Sequence, residues 1–391
     1  MTAAGPRLHR VRLSHVDLDP RWGVSREPLT PTEARGPGFA ARFDATTLFY
    51  DLYRSVDGGK GIALGPPLRS IDASCLRFSL VEDGPPLAWR ASPEITNPTP
   101  LTPSRLEIAA LPGVDVLWVA IGSQRWRVPV QPNLSDAFAV RTALLTTSGD
   151  NPLLWIEDWA RYHAAICGVD AIVLYGNAST LADAAEIAER LATIPGLRDI
   201  AVIDQPARFG VRKQDMRDPS AGQTDCLLQT AMLRHGLDRL LGRAAAALNL
   251  DIDEVLVLED GVTIPWLLDR PEPMVNLSRA NVNAPVDLPA PALPRHRHAT
   301  HRFEPFPDTA IAKKWLLRPP TLPDEYVVGI HGSRLVPAWQ LPPERGFVAH
   351  FWELTTSLGD PRRFAAPVDL AAPCALLTRR LAEAFPDAET N

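Results

Sequence analysis

The sequence has little cysteine, no long apolar run and no excess of positive charge, and each absence excludes a class of protein. Its four cysteines are far apart and form no Cys-x-x-Cys pair, which argues against a disulfide framework or a zinc knuckle. No run approaches the roughly 18 apolar residues of a membrane span. The formal net charge of −6 argues against a nucleic-acid-binding protein, which would normally be basic. Because residues 1–20 also lack an apolar signal-peptide core, we expect a cytoplasmic protein with no transmembrane segment and no nucleic-acid partner.

Length and composition indicate two domains. The chain has 391 residues, of which 46% are hydrophobic and 22% charged, so either half can bury a core. Residues 1–136 contain short apolar or alternating runs separated by Gly, Pro, Asp and Ser, which is typical of strands joined by turns. We predict a small, sandwich-like β-rich domain over 1–136 and a second domain over 137–391. The glycine-rich segment 57–61 does not satisfy the phosphate-loop pattern and is interpreted as a turn.

Strand and helix patterns alternate in the second domain. Strands are predicted at 140–147, 171–175, 199–203 and 244–250. The helix that follows Pro152 places Trp155, Trp159 and Tyr162 on one apolar face, and a helix capped by Ser179 or Thr180 is predicted from 181 to 193. This alternation predicts an α/β fold with a mainly parallel sheet and helices on both faces. Ligands of such sheets bind beyond the carboxyl ends of the strands.

A group of carboxylates follows the fourth of these strands. Asp251 and Asp253 are two residues apart, so on an extended chain both side chains point to the same side, and Glu254 adds a third carboxylate. Two converging carboxylates suit a hard divalent cation that keeps waters and binds phosphate oxygens. An Asp-x-Asp alone is more often a polar strand end, so the prediction of a cation site depends on the surrounding sheet.

Several segments, in one order over about 137–357, resemble the glycosyltransferases of families 2 and 92, which have the GT-A fold. The matching positions are 158–163 with 168–169, 175–179, Gln223, 251–255, 314–319, His331 and His350–Phe351. The resemblance implies a GT-A, Rossmann-like catalytic domain after the β-rich domain. The chain departs from the family at 148–151 and at Gly176, turns that lie near the nucleotide base and ribose, so the donor's identity is not predicted.

The resemblance implies a nucleotide-sugar donor and a Mn²⁺ or Mg²⁺ cofactor. Residues implied to bind the nucleotide sugar are Asn177, Gln223, Asp251, Lys314 and Arg318, with Asp204 a further candidate at the end of its strand. The metal would be held by Asp251, Asp253 and His331. Alternative interpretations stay open: a solvated basic face for Lys314 and Arg318, and an ordinary histidine at 331. Glu254 either binds the metal or forms an inward hydrogen bond.

An inverting transfer needs a carboxylate base for the acceptor hydroxyl, and Asp253 is expected to take part through its metal. We predict Glu304 as that base, ahead of Asp287 and Asp308, because the Pro- and His-rich segment 284–308 suits a lid on the acceptor side. The acceptor would be a glycan, a lipid-linked sugar or a small molecule.

Two other functions remain compatible with the sequence. One is a metal-dependent nucleotide-sugar hydrolase or nucleotidyltransferase, although a glycine-rich phosphate loop after the first strand is missing. The other is a non-catalytic glycan-binding or assembly protein on a degenerate GT-A fold. The sequence does not predict the oligomeric state.

Overall fold

The structure, a computed structural model, describes residues 5–91, 101–109, 111, 113–212, 215–218, 225–283, 295–303, 313–323, 326–351, 354 and 371–386. Over these residues the fold is mixed α/β, with a mainly parallel central sheet and several small antiparallel sheets. The predicted fold class is confirmed at that level. In the same residues, no helix is both long enough and apolar enough to cross a membrane.

The first third of the described chain is rich in short strands. Its elements are β1 (Arg7–Leu8), β2 (Val16–Asp17), α1 (Phe39–Arg42), β3 (Thr47–Phe49), β4 (Asp51–Arg54), β5 (Gly61–Gly65), β6 (Leu76–Ser79), β7 (Trp89–Ala91), β8 (Ser104–Ile108), β9 (Val116–Ile121) and β10 (Gln124–Pro129). Antiparallel pairing gives one sheet in the order β4-β5-β8-β7 and another in the order β10-β9-β6. Their inner faces share a core that includes Leu52, Phe78, Leu106 and Val119, each of them buried. Strand β1 lies elsewhere, at an edge of the central sheet.

The remaining elements alternate as predicted as far as the acidic group. They are β11 (Thr142–Ser148), α2 (Leu153–Cys167), β12 (Ala171–Gly176), α3 (Ala184–Ala192), β13 (Asp199–Asp204), α4 (Leu228–His235), β14 (Ala246–Asn249), β15 (Glu254–Leu258), α5 (Ile264–Leu268), β16 (Met274–Asn283), β17 (His301–Phe303), β18 (Lys313–Leu317), β19 (Val327–Gly329), β20 (Gly332–Arg334), β21 (Ala338–Gln340), β22 (Gly346–Phe351), β23 (Ala371–Pro373) and α6 (Ala375–Ala384). Strands β1, β13, β12, β11 and β14 pair in parallel in that order, and β18 then joins β14 antiparallel.

The central sheet is buried on both faces. Along β12, Ile172 and Leu174 join the core under α2, α3 and α6, whereas Val173 and Tyr175 join the core under α4. Successive residues of a strand point to opposite faces, so a continuous apolar run is what a doubly covered strand requires. The predicted apolar face of α2 is buried, and its Tyr162 hydroxyl donates to the carbonyl of Leu256 at 3.1 Å.

Two helices differ from the prediction. Helix α3 begins at Ala184, not at 181, because Asp183 and Glu186 form a reciprocal capping box that satisfies the first free backbone N–H groups. The sequence also predicts a mostly helical segment over 222–242. Within its described residues the structure has the shorter α4, followed by a π-helical turn at Gly236–Leu240. In both places a local hydrogen-bonding pattern determines the boundary.

A buried polar network joins the β-rich layer to the central sheet. The carboxylate of Asp51 accepts from His235 Nε2 at 2.8 Å and from Arg239 Nη1 at 2.7 Å, and His235 Nδ1 lies 2.6 Å from the Tyr175 hydroxyl. Asp51 and His235 are fully buried. Burial lowers the pKa of His235 despite the neighbouring Asp51 carboxylate. The network therefore balances the Asp51 charge mainly through Arg239.

His163 connects α2 to β15 in its neutral form. Its Nδ1 lies 2.8 Å from the Trp159 carbonyl, and its Nε2 accepts the backbone N–H of Leu256 at 3.2 Å. A proton on Nε2 would oppose that N–H, and burial lowers the pKa of His163 to about 3. The histidine is therefore a core residue.

We expect Asp51→Asn to destabilise the fold, because it leaves the buried Arg239 guanidinium without its counter-charge. Removal of one partner of a buried ion pair costs about 3–5 kcal/mol. Asp136→Asn is the matched control, since Asp136 pairs with Arg243 on the surface, where such pairs contribute less than about 1 kcal/mol. Urea unfolding followed by circular dichroism compares the two. An equal loss of unfolding free energy in Asp51→Asn and Asp136→Asn would contradict the stabilising role of the buried network.

We also expect His163 to make the stability depend on pH. Its folded pKa is below its unfolded pKa, so the unfolded chain binds the proton first and stability falls as the pH drops below about 6.5. The difference in unfolding free energy between the wild type and His163→Gln should shrink by about 2–3 kcal/mol between pH 6.5 and 4.5. Above pH 7.5 both curves should run parallel, which serves as an internal control. Parallel curves throughout would show that His163 is not kept neutral.

Candidate functional site

The carboxyl ends of the parallel strands form one edge of the central sheet. Ser148 of β11 is level with Gly176 of β12, and Gly176 is level with Asp204 of β13. Two residues beyond the end of β14 the chain reaches Asp251. Three of the predicted site residues, Asn177, Asp204 and Asp251, therefore lie along this edge.

The order of the strands marks a particular place on that edge. The chain moves outward from β11 to β12 and β13 and then returns to place β14 on the other side of β11. In open α/β sheets the crevice at such a reversal, between β11 and β14, is where ligands bind. The turn at 148–151 forms one side of this crevice, and Asp251 follows the strand on the other side.

The turns after β11 and β12 hold non-glycine residues in the left-handed region. Asp150 has φ 54° and Ala178 has φ 48°. The turns are joined, because Asp150 Oδ1 accepts from the backbone N–H of Thr180 at 2.7 Å and Asn177 N–H donates to Ser148 O at 2.8 Å. Such strained conformations concentrate at ligand-binding sites. The turn at 148–151 was singled out from the sequence, but the left-handed backbone of Asp150 was not, because backbone φ at a non-glycine residue leaves no residue pattern.

Asn177 lies at the predicted place, but its side chain is engaged. The residue is buried, and its Nδ2 donates to the carbonyls of Gln205 at 2.9 Å and Ala207 at 2.7 Å. It therefore fixes the loop after β13 against the end of β12. Asp204, by contrast, is exposed and open to a ligand from solvent.

The acidic group is a tight turn built around a buried lysine. The Lys314 ammonium is fully buried and lies 2.6 Å from Asp251 Oδ2 and 3.1 Å from Glu254 Oε2. Glu254 Oε2 also accepts the backbone N–H of Asp251 at 3.0 Å, so the inward hydrogen bond predicted as one alternative for Glu254 is present. Burial alone would lower the pKa of Lys314, but the two carboxylates outweigh it and the pKa is raised. Lys314 thus holds the turn and does not face solvent.

The two aspartates have different surroundings. Both oxygens of Asp251 have partners, since Gln229 Nε2 donates to Oδ1 at 3.3 Å and Lys314 contacts Oδ2. Asp253 has Oδ2 at 3.4 Å from His350 Nε2. His350 Nδ1 lies 2.9 Å from Asn281 Oδ1, and this contact orients the ring with Nε2 toward Asp253. Asp253 is therefore the aspartate better prepared to bind a ligand.

The cluster keeps little net charge. Three carboxylates, Asp251, Asp253 and Glu254, lie in this cluster. Lys314 pairs with Asp251 and Glu254, and Arg279 Nη1 is 3.6 Å from Glu254 Oε1. These three negative groups and two positive groups leave one formal negative charge. Binding of a divalent cation by the protein alone would therefore be weak.

The side chains around Asp253 fit one kind of metal site. In the parts of the chain that the structure describes, no three His, Cys, Asp or Glu side chains are grouped to hold a metal ion. Asp253 Oδ2 and His350 Nε2 are nevertheless 3.4 Å apart, close to the ~3 Å between neighbouring ligands of an octahedral ion with ~2.1 Å bonds. This pair fits a Mg²⁺ or Mn²⁺ ion that takes its other ligands from water and substrate phosphates.

His331 lies near this cluster, and its ring contacts the backbone of β18. Its residue is exposed, and its Nδ1 lies 3.2 Å from the Lys313 carbonyl. Desolvation of the ring and then the Lys314 ammonium lower the pKa of His331. The imidazole is thereby kept in the neutral form that a metal ligand needs.

The structure does not bring Arg318 to the cluster. Strand β18 runs antiparallel to β14, so Trp315 is opposite Asn249 while Leu317 is opposite Ala247. Arg318 therefore lies toward the opposite edge of the sheet, where its Nη2 donates to the Arg270 carbonyl at 2.7 Å. Lys314 and Arg318 cannot contact one diphosphate in this arrangement. Gln223 and Glu304, with Asp287 and Asp308, lie outside the described residues.

We expect Lys314→Met to destabilise the fold strongly, because Asp251 and Glu254 lose their shared counter-charge in a buried place. The expected loss is about 3–5 kcal/mol. Lys313→Met is the matched control: it is the preceding residue of the same strand, points to the other face, and should change stability by no more than about 0.5 kcal/mol. Urea unfolding measures both. A Lys314→Met protein as stable as the control would show that the ammonium does not hold the turn.

The comparisons assign no family to this site. No protein-family profile matches the chain, and no curated protein is similar enough to match it. The described residues form a crevice at a strand reversal. The strained turns after β11 and β12 lie on one side of it. The acidic turn, held by Lys314, lies on the other side, and its Asp253 faces His350 of β22.

Proposed function

We propose that this protein is a glycosyltransferase with a GT-A-type domain, which moves a sugar from a nucleotide-sugar donor to an acceptor hydroxyl with inversion. The observation that carries the proposal is the position of Asp251 and Asp253 directly after β14, at the strand reversal where α/β sheets bind their ligands. The resemblance of segments 158–179, 251–255 and 314–319 to families 2 and 92 supports the same function.

The donor would lie along the carboxyl edge of the sheet. Its diphosphate would approach the acidic turn, and its nucleoside the turns after β11 and β12 and the exposed Asp204. A Mn²⁺ or Mg²⁺ ion held by Asp253 and His350, with His331 nearby, would offset the charge that develops on the diphosphate as the glycosidic bond breaks. Lys314 acts on this site indirectly, because its buried ammonium pairs with Asp251 and Glu254.

In this reaction the acceptor oxygen forms a bond to the anomeric carbon on the face opposite the diphosphate. The bond from that carbon to the phosphate oxygen breaks, and its electron pair leaves with the nucleoside diphosphate. The proton of the acceptor hydroxyl passes to a carboxylate base. Glu304 remains the predicted base.

A second candidate function is a non-catalytic protein that binds nucleotide sugars or glycans. The observation that favours it is the engagement of both Asp251 oxygens by Lys314 and Gln229, which leaves fewer oxygens for a metal. Binding of a nucleotide sugar without release of nucleoside diphosphate, over a range of acceptors, would identify this function.

The proposal predicts metal-dependent binding of one class of nucleotide sugar. Calorimetry with UDP-, GDP-, dTDP- and CMP-sugars, in Mn²⁺ or in EDTA, tests it on the wild type, Asp253→Asn and Asp269→Asn. We expect binding in Mn²⁺ to weaken at least about tenfold, or about 1.4 kcal/mol, in Asp253→Asn, because a ligand of the metal is lost. The control Asp269→Asn changes an exposed carboxylate at the end of α5 and should bind like the wild type. A folded wild type that binds none of the four classes would refute the proposed function.

A further inference from the structure

A cavity in the β-rich layer lies outside the site described above. It is a half-open cleft of about 670 Å³, within the ~300–1,000 Å³ typical of sites for small molecules. Its described lining is mostly apolar and includes Leu29, Leu68, Ile71, Trp89 and Leu106. The polar side chains among these described residues are Arg69, Asp72, Thr102 and Ser104. The lining therefore suits a hydrocarbon or aromatic group better than a sugar or a phosphate.

Large apolar side chains of this cleft remain accessible to solvent. Leu29 stays 52% exposed, and Trp89 is only half-buried although its ring packs edge-on against Phe78 at 6.2 Å. These large apolar side chains would gain burial from an occupant.

The wall of the cavity is held in place by a buried carboxylate. Arg69, a lining residue with φ 53°, is a non-glycine residue in the left-handed region, and its guanidinium pairs with the fully buried Asp225. The same carboxylate accepts the backbone N–H groups of Leu29 at 3.3 Å and Thr30 at 3.0 Å. Strain of this kind persists where the surrounding structure enforces it, often at ligand sites.

Asp225 also connects the cavity to the acidic turn. It precedes α4, and Gln229 in the first turn of that helix donates to Asp251. At most about 14 Å of backbone separates residues four apart in sequence, so the wall of the cavity and the acidic turn are supported by one short segment.

We propose that this cavity binds the hydrocarbon part of an amphipathic small molecule. This inference rests on the proposed function. The bound molecule is then the acceptor, and its hydroxyl lies at the carboxyl edge of the sheet. A lipid-linked or alkyl-linked sugar has this chemistry, with an apolar chain for the cavity and a polar head for the transfer.

Binding of cis-parinaric acid to the full-length protein, followed by its fluorescence, tests the cavity directly. Ala91→Trp fills the cavity, because Ala91 lines it on the exposed strand β7. Ala88→Trp is the matched control, since Ala88 is also exposed but three residues away, so it points to the opposite face of the extended chain. We expect saturable binding by the wild type. The affinity should fall about tenfold or more in Ala91→Trp, which corresponds to the loss of about two buried methylene groups. In Ala88→Trp the affinity should stay within about twofold of the wild type. No saturable binding, or equal binding by both variants, would overturn the proposal.

The acceptor assignment has its own test. Release of nucleoside diphosphate is measured with octyl glycosides and with the corresponding free sugars as acceptors. We expect a lower KM for the octyl glycosides in the wild type, loss of that advantage in Ala91→Trp, and retention of it in the control Ala88→Trp. Equal KM values for both acceptor types would overturn the assignment. Parinaric acid binding without any nucleotide-sugar binding would refute the transferase and leave the cavity site standing, so the two failures are distinguishable.

Discussion

The candidate site depends on one buried interaction, the Lys314 ammonium between Asp251 and Glu254. Each of these groups would be unstable if buried alone, because an isolated charge in the interior loses its hydration. Together they hold the turn that follows β14 and leave Asp253, on the same turn, facing His350. The two aspartates therefore have different roles. Asp251 maintains the shape of the turn, and Asp253 is presented to a ligand.

The rest of the fold brings other groups to this turn. Parallel pairing of β13, β12, β11 and β14 aligns their carboxyl ends, so the strained turns near Asp150 and Ala178 lie on the same edge as the acidic turn. The β-rich layer is fixed to the central sheet by the buried Asp51 and Asp225. Through Asp225 it reaches the segment that carries Gln229, and therefore the acidic turn as well. The two layers thus share the residues that shape the site.

Much of the fold was predictable because its determinants are local. Apolar runs predicted β12 and β13 to within one residue. The site was predictable only in part. The position of Asp251 and Asp253 follows from the strand before them, whereas the burial of Lys314 and the remoteness of Arg318 follow from the antiparallel direction of β18, a long-range pairing that no residue pattern encodes. The left-handed Asp150 leaves no pattern either.

The most direct test of the donor site is a crystal structure grown with Mn²⁺ and a nucleoside diphosphate, with anomalous diffraction recorded at the manganese edge. We expect an anomalous peak within bonding distance both of Asp253 and of phosphate oxygens. We expect the nucleoside beside the turns after β11 and β12. We also expect that Lys314 still contacts Asp251. A nucleotide bound away from the carboxyl edge of the sheet, or a manganese ion remote from Asp253, would contradict the proposed donor site.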